Sequence, residues 1–197
     1  MVEISFKNCN SGRLKAFTLL EMIIATALFL TAMTMSIGIF IATMNANNKI
    51  TRIQDVENEA RYILEMISKE VRLGTINYDY YKIIYGDTFE NPASILSIVD
   101  AADDVSYFAL NGDENSSGII QLSLDGGDNW SNLTTDSIQV QSLDFYLIPE
   151  TNPYAGDASN IKQPLVLVYL SANYNRDGEM DGKIDIQTAI SSRIYKK

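Results

Sequence analysis

Glu21 stands directly before Met22–Met44, a run of 23 residues without a charge. A carboxylate at the edge of so long an apolar stretch is costly to desolvate, and its side chain requires a positive partner. The simpler account is a carboxylate at a helix N-terminus, held by the helix dipole and by headgroups. Either way the chemistry is electrostatic pairing, not bond-making. The chain has no histidine, which removes the commonest general base and the commonest transition-metal ligand together. A carboxylate pair can act as acid and base, but nothing singles one out among 25 acidic residues, so no enzymatic role is expected.

A second set of oxygen ligands lies near the C-terminus. Asn173, Asn175, Asp177, Glu179 and Asp181 alternate around Gly178 and Gly182, the donor chemistry a hard cation such as calcium requires. The pattern matches the first half of an EF-type loop. At the twelfth position, where a bidentate Glu is needed, stands Ile184, followed by Asp185. Calcium and a plain polar hairpin loop stay open as two readings. Ser123-x-Asp125-x-Gly127-x-x-Trp130 resembles the Asp-box, a hairpin device of many β proteins. Its Asp accepts from turn amides, its glycine takes the strained position, and its Trp is expected to pack beneath. A single copy carries no catalytic meaning.

These residues need elements to position them. At about 1.5 Å per residue the uncharged run spans roughly 34 Å as a helix, more than the roughly 30 Å hydrocarbon core of a bilayer. It is also too long for the apolar core of a signal peptide. Lys7, Arg13 and Lys15 precede it, so the positive-inside rule keeps residues 1–16 cytoplasmic and sends the rest outward. The formal charge of −10 divides unevenly, with residues 1–16 at +2 and the remainder at −12. An acidic outer domain disfavours nucleic acid as a partner. Cys9, the only cysteine, falls in the basic leader.

After the span, Ile50, Ile53, Val56, Ala60, Ile63, Leu64, Ile67 and Val71 recur at three-or-four spacing, with charges on the other face. One helix is therefore expected from Phe17 to Leu73, stopped at Gly74 by the left-handed conformation glycine tolerates. Beyond it the pattern shortens to strands at 95–99, 105–110, 119–124, 138–148, 165–170 and 184–194, punctuated by turn residues. The expected class is α+β, with an antiparallel sheet packed on the amphipathic half of the helix. Tyr78, Tyr80, Tyr81 and Tyr85 are expected to pack under a loop between the two.

The string Lys15-Ala16-Phe17-Thr18-Leu19-Leu20-Glu21, ahead of an uncharged run, resembles the processing site of type IV pilins and type II secretion pseudopilins. The resemblance implies a pilin-like fold and cleavage between Ala16 and Phe17 by a prepilin peptidase, which methylates the new amine of Phe17. The family usually has glycine where Ala16 stands. Glu21 becomes the fifth mature residue, and the resemblance implies that it pairs with the α-amino group of Phe17 on an adjacent subunit during assembly. Gly38 then falls where major pilins often carry a helix-weakening proline. The implied organisation is a leader at 1–16, a transmembrane and filament-core half-helix at 17–48, an amphipathic half at 49–74 and an extracytoplasmic domain at 75–197. The implied function is that of a minor pilin or minor pseudopilin, a single-pass cytoplasmic membrane protein later built into an extracellular or periplasmic filament. Its implied partners are other pilin or pseudopilin subunits and the inner-membrane assembly machinery. A major pilin and a membrane-anchored, calcium-dependent adhesion module are the alternatives.

Overall fold

The apolar and amphipathic stretches form one uninterrupted helix, α1 (Leu19–Leu73), in a computed structural model that describes residues 16–86, 89–112, 118–155, 163–176 and 179–193, with the backbone alone at 176 and 179–181. The chain divides between Ala46 and Asn47 into two units. In the first, every described residue is exposed, including Ile23, Phe29, Ile37 and Phe40. Thr26, Thr31, Thr34, Ser36 and Thr43 donate their hydroxyls to carbonyls three or four residues back, at 2.8–2.9 Å. Polar groups are thereby satisfied within the helix, the condition a bilayer imposes. Its most apolar window has a mean hydropathy of 2.1, so α1 is long and apolar enough to cross a membrane.

In the second unit α1 buries Val56, Ala60, Ile63, Leu64, Ile67 and Val71, the face its periodicity predicts, while Ile50 stays exposed. Among the described residues eight strands follow, in two antiparallel sheets. β1 (Thr75–Ile76), β2 (Ile95–Val99), β3 (Val105–Asn111), β4 (Ile119–Ser123) and β5 (Ser131–Asn132) make the first in sequence order. β6 (Ile138–Ile148), β7 (Leu165–Arg176) and β8 (Glu179–Ser191) make the second. The class is α+β, with two sheets where alternation alone implies one.

The sheets meet along β6, through single bridges at Ala93↔Phe145 and Gly118↔Val140. Asn91 extends the first bridge with its side chain. Its amide donates to Leu147 O at 3.0 Å and its Oδ1 accepts from Leu147 N at 2.7 Å, the work of one strand residue done by an amide. Inner residues of both sheets, among them Leu96, Phe108, Val140, Phe145, Val168 and Leu170, close one core with the helix face.

The tyrosine segment is a helix, α2 (Tyr78–Tyr85), where a loop was expected. Asn77 caps it, accepting from Tyr80 N at 3.2 Å, and Tyr78 and Tyr81 are its buried side. Eight residues are too few for periodicity to register, so the cap was the available signal. Gly74 ends α1 as expected, but for another reason. It is not among the residues of positive φ. An added Cβ would meet Ile98 Cγ2 at 2.4 Å and Val99 O at 2.8 Å, so glycine is required by close approach.

α1 runs alongside β8 in the same direction. Ile53 lies against Gly182, and Gly74 O accepts from Ser192 Oγ at 2.9 Å. Twenty-one helical steps of about 1.5 Å and ten strand steps of about 3.3 Å both come to roughly 32 Å, so the two elements keep pace.

Candidate functional site

At the head of the chain, Ala16 and Phe17 precede α1 and are exposed. Thr18 caps the helix, its Oγ1 accepting from Glu21 N at 3.2 Å. That bond satisfies one of the four N–H groups a helix start leaves open. Glu21 occupies the first turn, on the wall of a shallow recess of about 350 Å³ lined with Leu20, Ile24, Ala25 and Leu28. The carboxylate thus lies beside exposed apolar side chains of its own helix. Sequence reasoning missed Thr18; the Thr-x-x-Glu spacing of a capping box was the signal. Lys7, Cys9, Arg13 and Lys15 lie outside the described residues.

The proposed calcium ligands fall on a hairpin. Asn173 and Asn175 are on β7, Glu179 and Asp181 on β8, and Asp177 lies outside the described residues. Tyr174 pairs with Asp181 and Arg176 with Glu179, so the strands continue through the stretch read as a loop. Asn173 sits where the β7–β8 register shifts. It is 4% exposed, and among the described residues its Oδ1 has no hydrogen-bond partner. No group of three or more His, Cys, Asp or Glu that could hold a metal occurs among the described residues.

The Asp-box turn is closed by its own side chains. Asp125 accepts from Asn129 N at 2.9 Å, from the Asn129 amide at 2.5 Å and from Ser123 Oγ at 2.7 Å. Those donors, the Asn129 backbone first, lower the Asp125 carboxyl to about 2. Gly126 and Gly127 take positive φ, 76° and 103°, where a side chain would strain the turn. Trp130 does not pack beneath. It is 40% exposed, held by an indole N–H bond to Gly127 O at 3.0 Å and stacked on Tyr107. The turn is a braced structural corner.

Burial raises the hydroxyl pKa of Tyr78 and Tyr81. Tyr81 OH donates to Ile95 O at 3.1 Å and accepts from Ser97 N at 2.9 Å, which ties α2 to β2. Tyr78 OH donates to Pro149 O at 3.0 Å.

Compared with family models, curated proteins and solved structures, the chain matches none.

Proposed function

We propose that the chain is a prepilin-like filament subunit, cut before Phe17 and held in the membrane by α1 until assembly. The observation that carries this reading is the unpartnered apolar half of α1, which bears Glu21 as its one charge. Residues 19–46 bury nothing among the described residues, and an apolar surface of this length calls for cover. Lipid covers it in the membrane. Neighbouring copies of the same helix cover it in a fibre, where Glu21 would need a cation and the α-amino group of Phe17 would supply one. Such a pair offsets part of the desolvation of both charges and fixes the stagger of adjacent helices. The outer domain would project from the fibre as a minor pilin or pseudopilin.

Intact-mass measurement of the protein extracted from membranes of cells carrying a prepilin peptidase tests the processing step. The expected mass lacks residues 1–16 and carries one added methyl group; a mass that includes Met1 refutes it. Glu21→Ala tests assembly, and the expected result is a membrane-retained subunit absent from sheared filaments. Normal incorporation would leave a simple membrane anchor as the better account.

A further inference from the structure

Asn111 and Gly112 are the chain's one Asn-Gly pair. Such a pair is among the least durable links in a protein, because glycine has no Cβ to keep its nitrogen away from the neighbouring carboxamide. Asn111 is the last residue of β3 and pairs with Ile119, while Gly112 lies beyond the last β3–β4 pair. Both are exposed. Among the described residues, neither the Asn111 carboxamide nor the Gly112 N–H has a hydrogen-bond partner. The pair Asp125-Gly126 shows what protection requires. Donors from Asn129 and Ser123 hold the Asp125 carboxyl ionised and in place, and the Gly126 N–H donates to Val105 O at 2.9 Å. An ionised carboxylate is a poor electrophile, and a committed N–H is a poor nucleophile.

We propose that Asn111 is a site of spontaneous deamidation, passing through a cyclic imide with Gly112 to isoaspartate, and that the product loosens the seam between the two sheets. The Gly112 nitrogen loses its proton and bonds to Asn111 Cγ, and the carboxamide nitrogen leaves as ammonia. Water then opens the imide at either carbonyl. One opening leaves aspartate at position 111. The other leaves isoaspartate, in which the main chain runs through the former side chain and is one methylene longer. Amide and water become carboxylate and ammonium, with no oxidant or cofactor.

The position makes this change structural. Gly118, across the hairpin, approaches so closely that an added Cβ would meet Asn111 O at 2.6 Å and Asn111 C at 3.0 Å. Gly118 N donates to Val140 O at 2.8 Å, and Val140 N donates to Gly118 O at 3.1 Å, one of the two bridges by which β6 joins the sheets. A longer main chain at position 111 displaces the carbonyl against which Gly118 is seated. That bridge is weakened, while the other, Ala93↔Phe145, has no such pair beside it. The inference concerns the outer domain alone and holds whether or not the chain enters a filament.

Full-length protein in detergent micelles is held at mildly alkaline pH and body temperature, and samples taken over time are digested for peptide mass mapping. Isoaspartate is counted by methyl transfer from labelled S-adenosylmethionine with an isoaspartyl methyltransferase. The peptide carrying Asn111 is expected to gain about one mass unit before any other asparagine peptide, with isoaspartate at that position. Gly112→Ala and Asn111→Gln are each expected to slow the change about tenfold or more, the first by restoring a Cβ beside the attacking nitrogen. In the aged protein, amide exchange is expected to quicken about tenfold at Gly118 and Val140 and to stay unchanged at Ala93 and Phe145. Earlier conversion of another asparagine, or equal rates in both variants, overturns the proposal. So does a rate in the folded chain more than about tenfold below that in urea, or unchanged exchange at Gly118 after conversion.

Discussion

Gly74→Ala is the substitution whose cost the structure fixes most directly. The new methyl group would lie 2.4 Å from Ile98 Cγ2, 2.8 Å from Val99 O and 3.1 Å from Glu70 O. Carbon contacts are comfortable at about 3.5–4.0 Å, so the first two fall short by roughly 1 Å. Ile98 is 1% exposed and has no room to turn away. Val99 is paired to Thr75 and its carbonyl also accepts from Thr75 Oγ1 at 3.4 Å, so it cannot retreat without opening β1–β2. Relief must come from sliding the helix end off the sheet, which also loosens the buried Ser192–Gly74 bond. Overpacking of a well-filled site costs about 1–3 kcal/mol, and a backbone obstacle on one side places this one near 3. That is about a hundredfold in the folding constant. Urea unfolding of the full chain in micelles, followed through Trp130, the single tryptophan, measures it. A loss below about 0.5 kcal/mol, within the range of an ordinary surface change, would refute the close-approach argument.

The same substitution at Gly38 should act in the opposite sense. A Cβ there meets nothing within 4 Å, so Gly38→Ala is expected to stabilise the isolated helix by about 1 kcal/mol, visible as slower amide exchange around residue 38. Asn91→Ala strips the partners from both backbone groups of the buried Leu147, and a loss of about 3 kcal/mol in urea unfolding is expected. Acid should open the Asp-box turn late. Because the folded Asp125 carboxyl sits at about 2, below its ordinary 3.8, its contribution is complete above that ordinary value and is lost as pH falls through about 2. Trp130 fluorescence should report a midpoint near the lower value, and Asp125→Asn should abolish that transition.

Legibility in the sequence followed the length of each pattern. The helix spans some fifteen turns, so its apolar and amphipathic halves both declared themselves, and the buried face from Val56 to Val71 was readable residue by residue. Strands β2, β3, β4 and β6 were bounded by turn residues and fell within a residue of their expected limits. The hairpin of β7 and β8 was foreshortened. Asn173, Asn175, Glu179 and Asp181 are poor strand formers, yet a partner strand on each side of the turn holds them in register, and pairing overrides propensity. α2 was hidden because its tyrosines are equally at home in a sheet or under a loop. The second sheet was hidden because two bridges and one side-chain amide, rather than any periodicity, decide where β6 belongs. At the candidate site the carboxylate was evident from its setting, while the Thr18 hydroxyl that accepts from the Glu21 backbone N–H depends on a three-residue spacing easily passed over.

The strap between Ser192 and Gly74 spans 118 positions of the chain. During synthesis the apolar side of α1 from Val56 to Val71 therefore emerges well before β7 and β8, the strands that complete its cover, have been made. Local contacts cannot shelter it, because closure of so long a loop must come first. The nascent protein consequently passes through an interval with a greasy flank bare to water. Burial of that flank is complete only once β7 and β8 have been delivered and the Ser192–Gly74 bond can close.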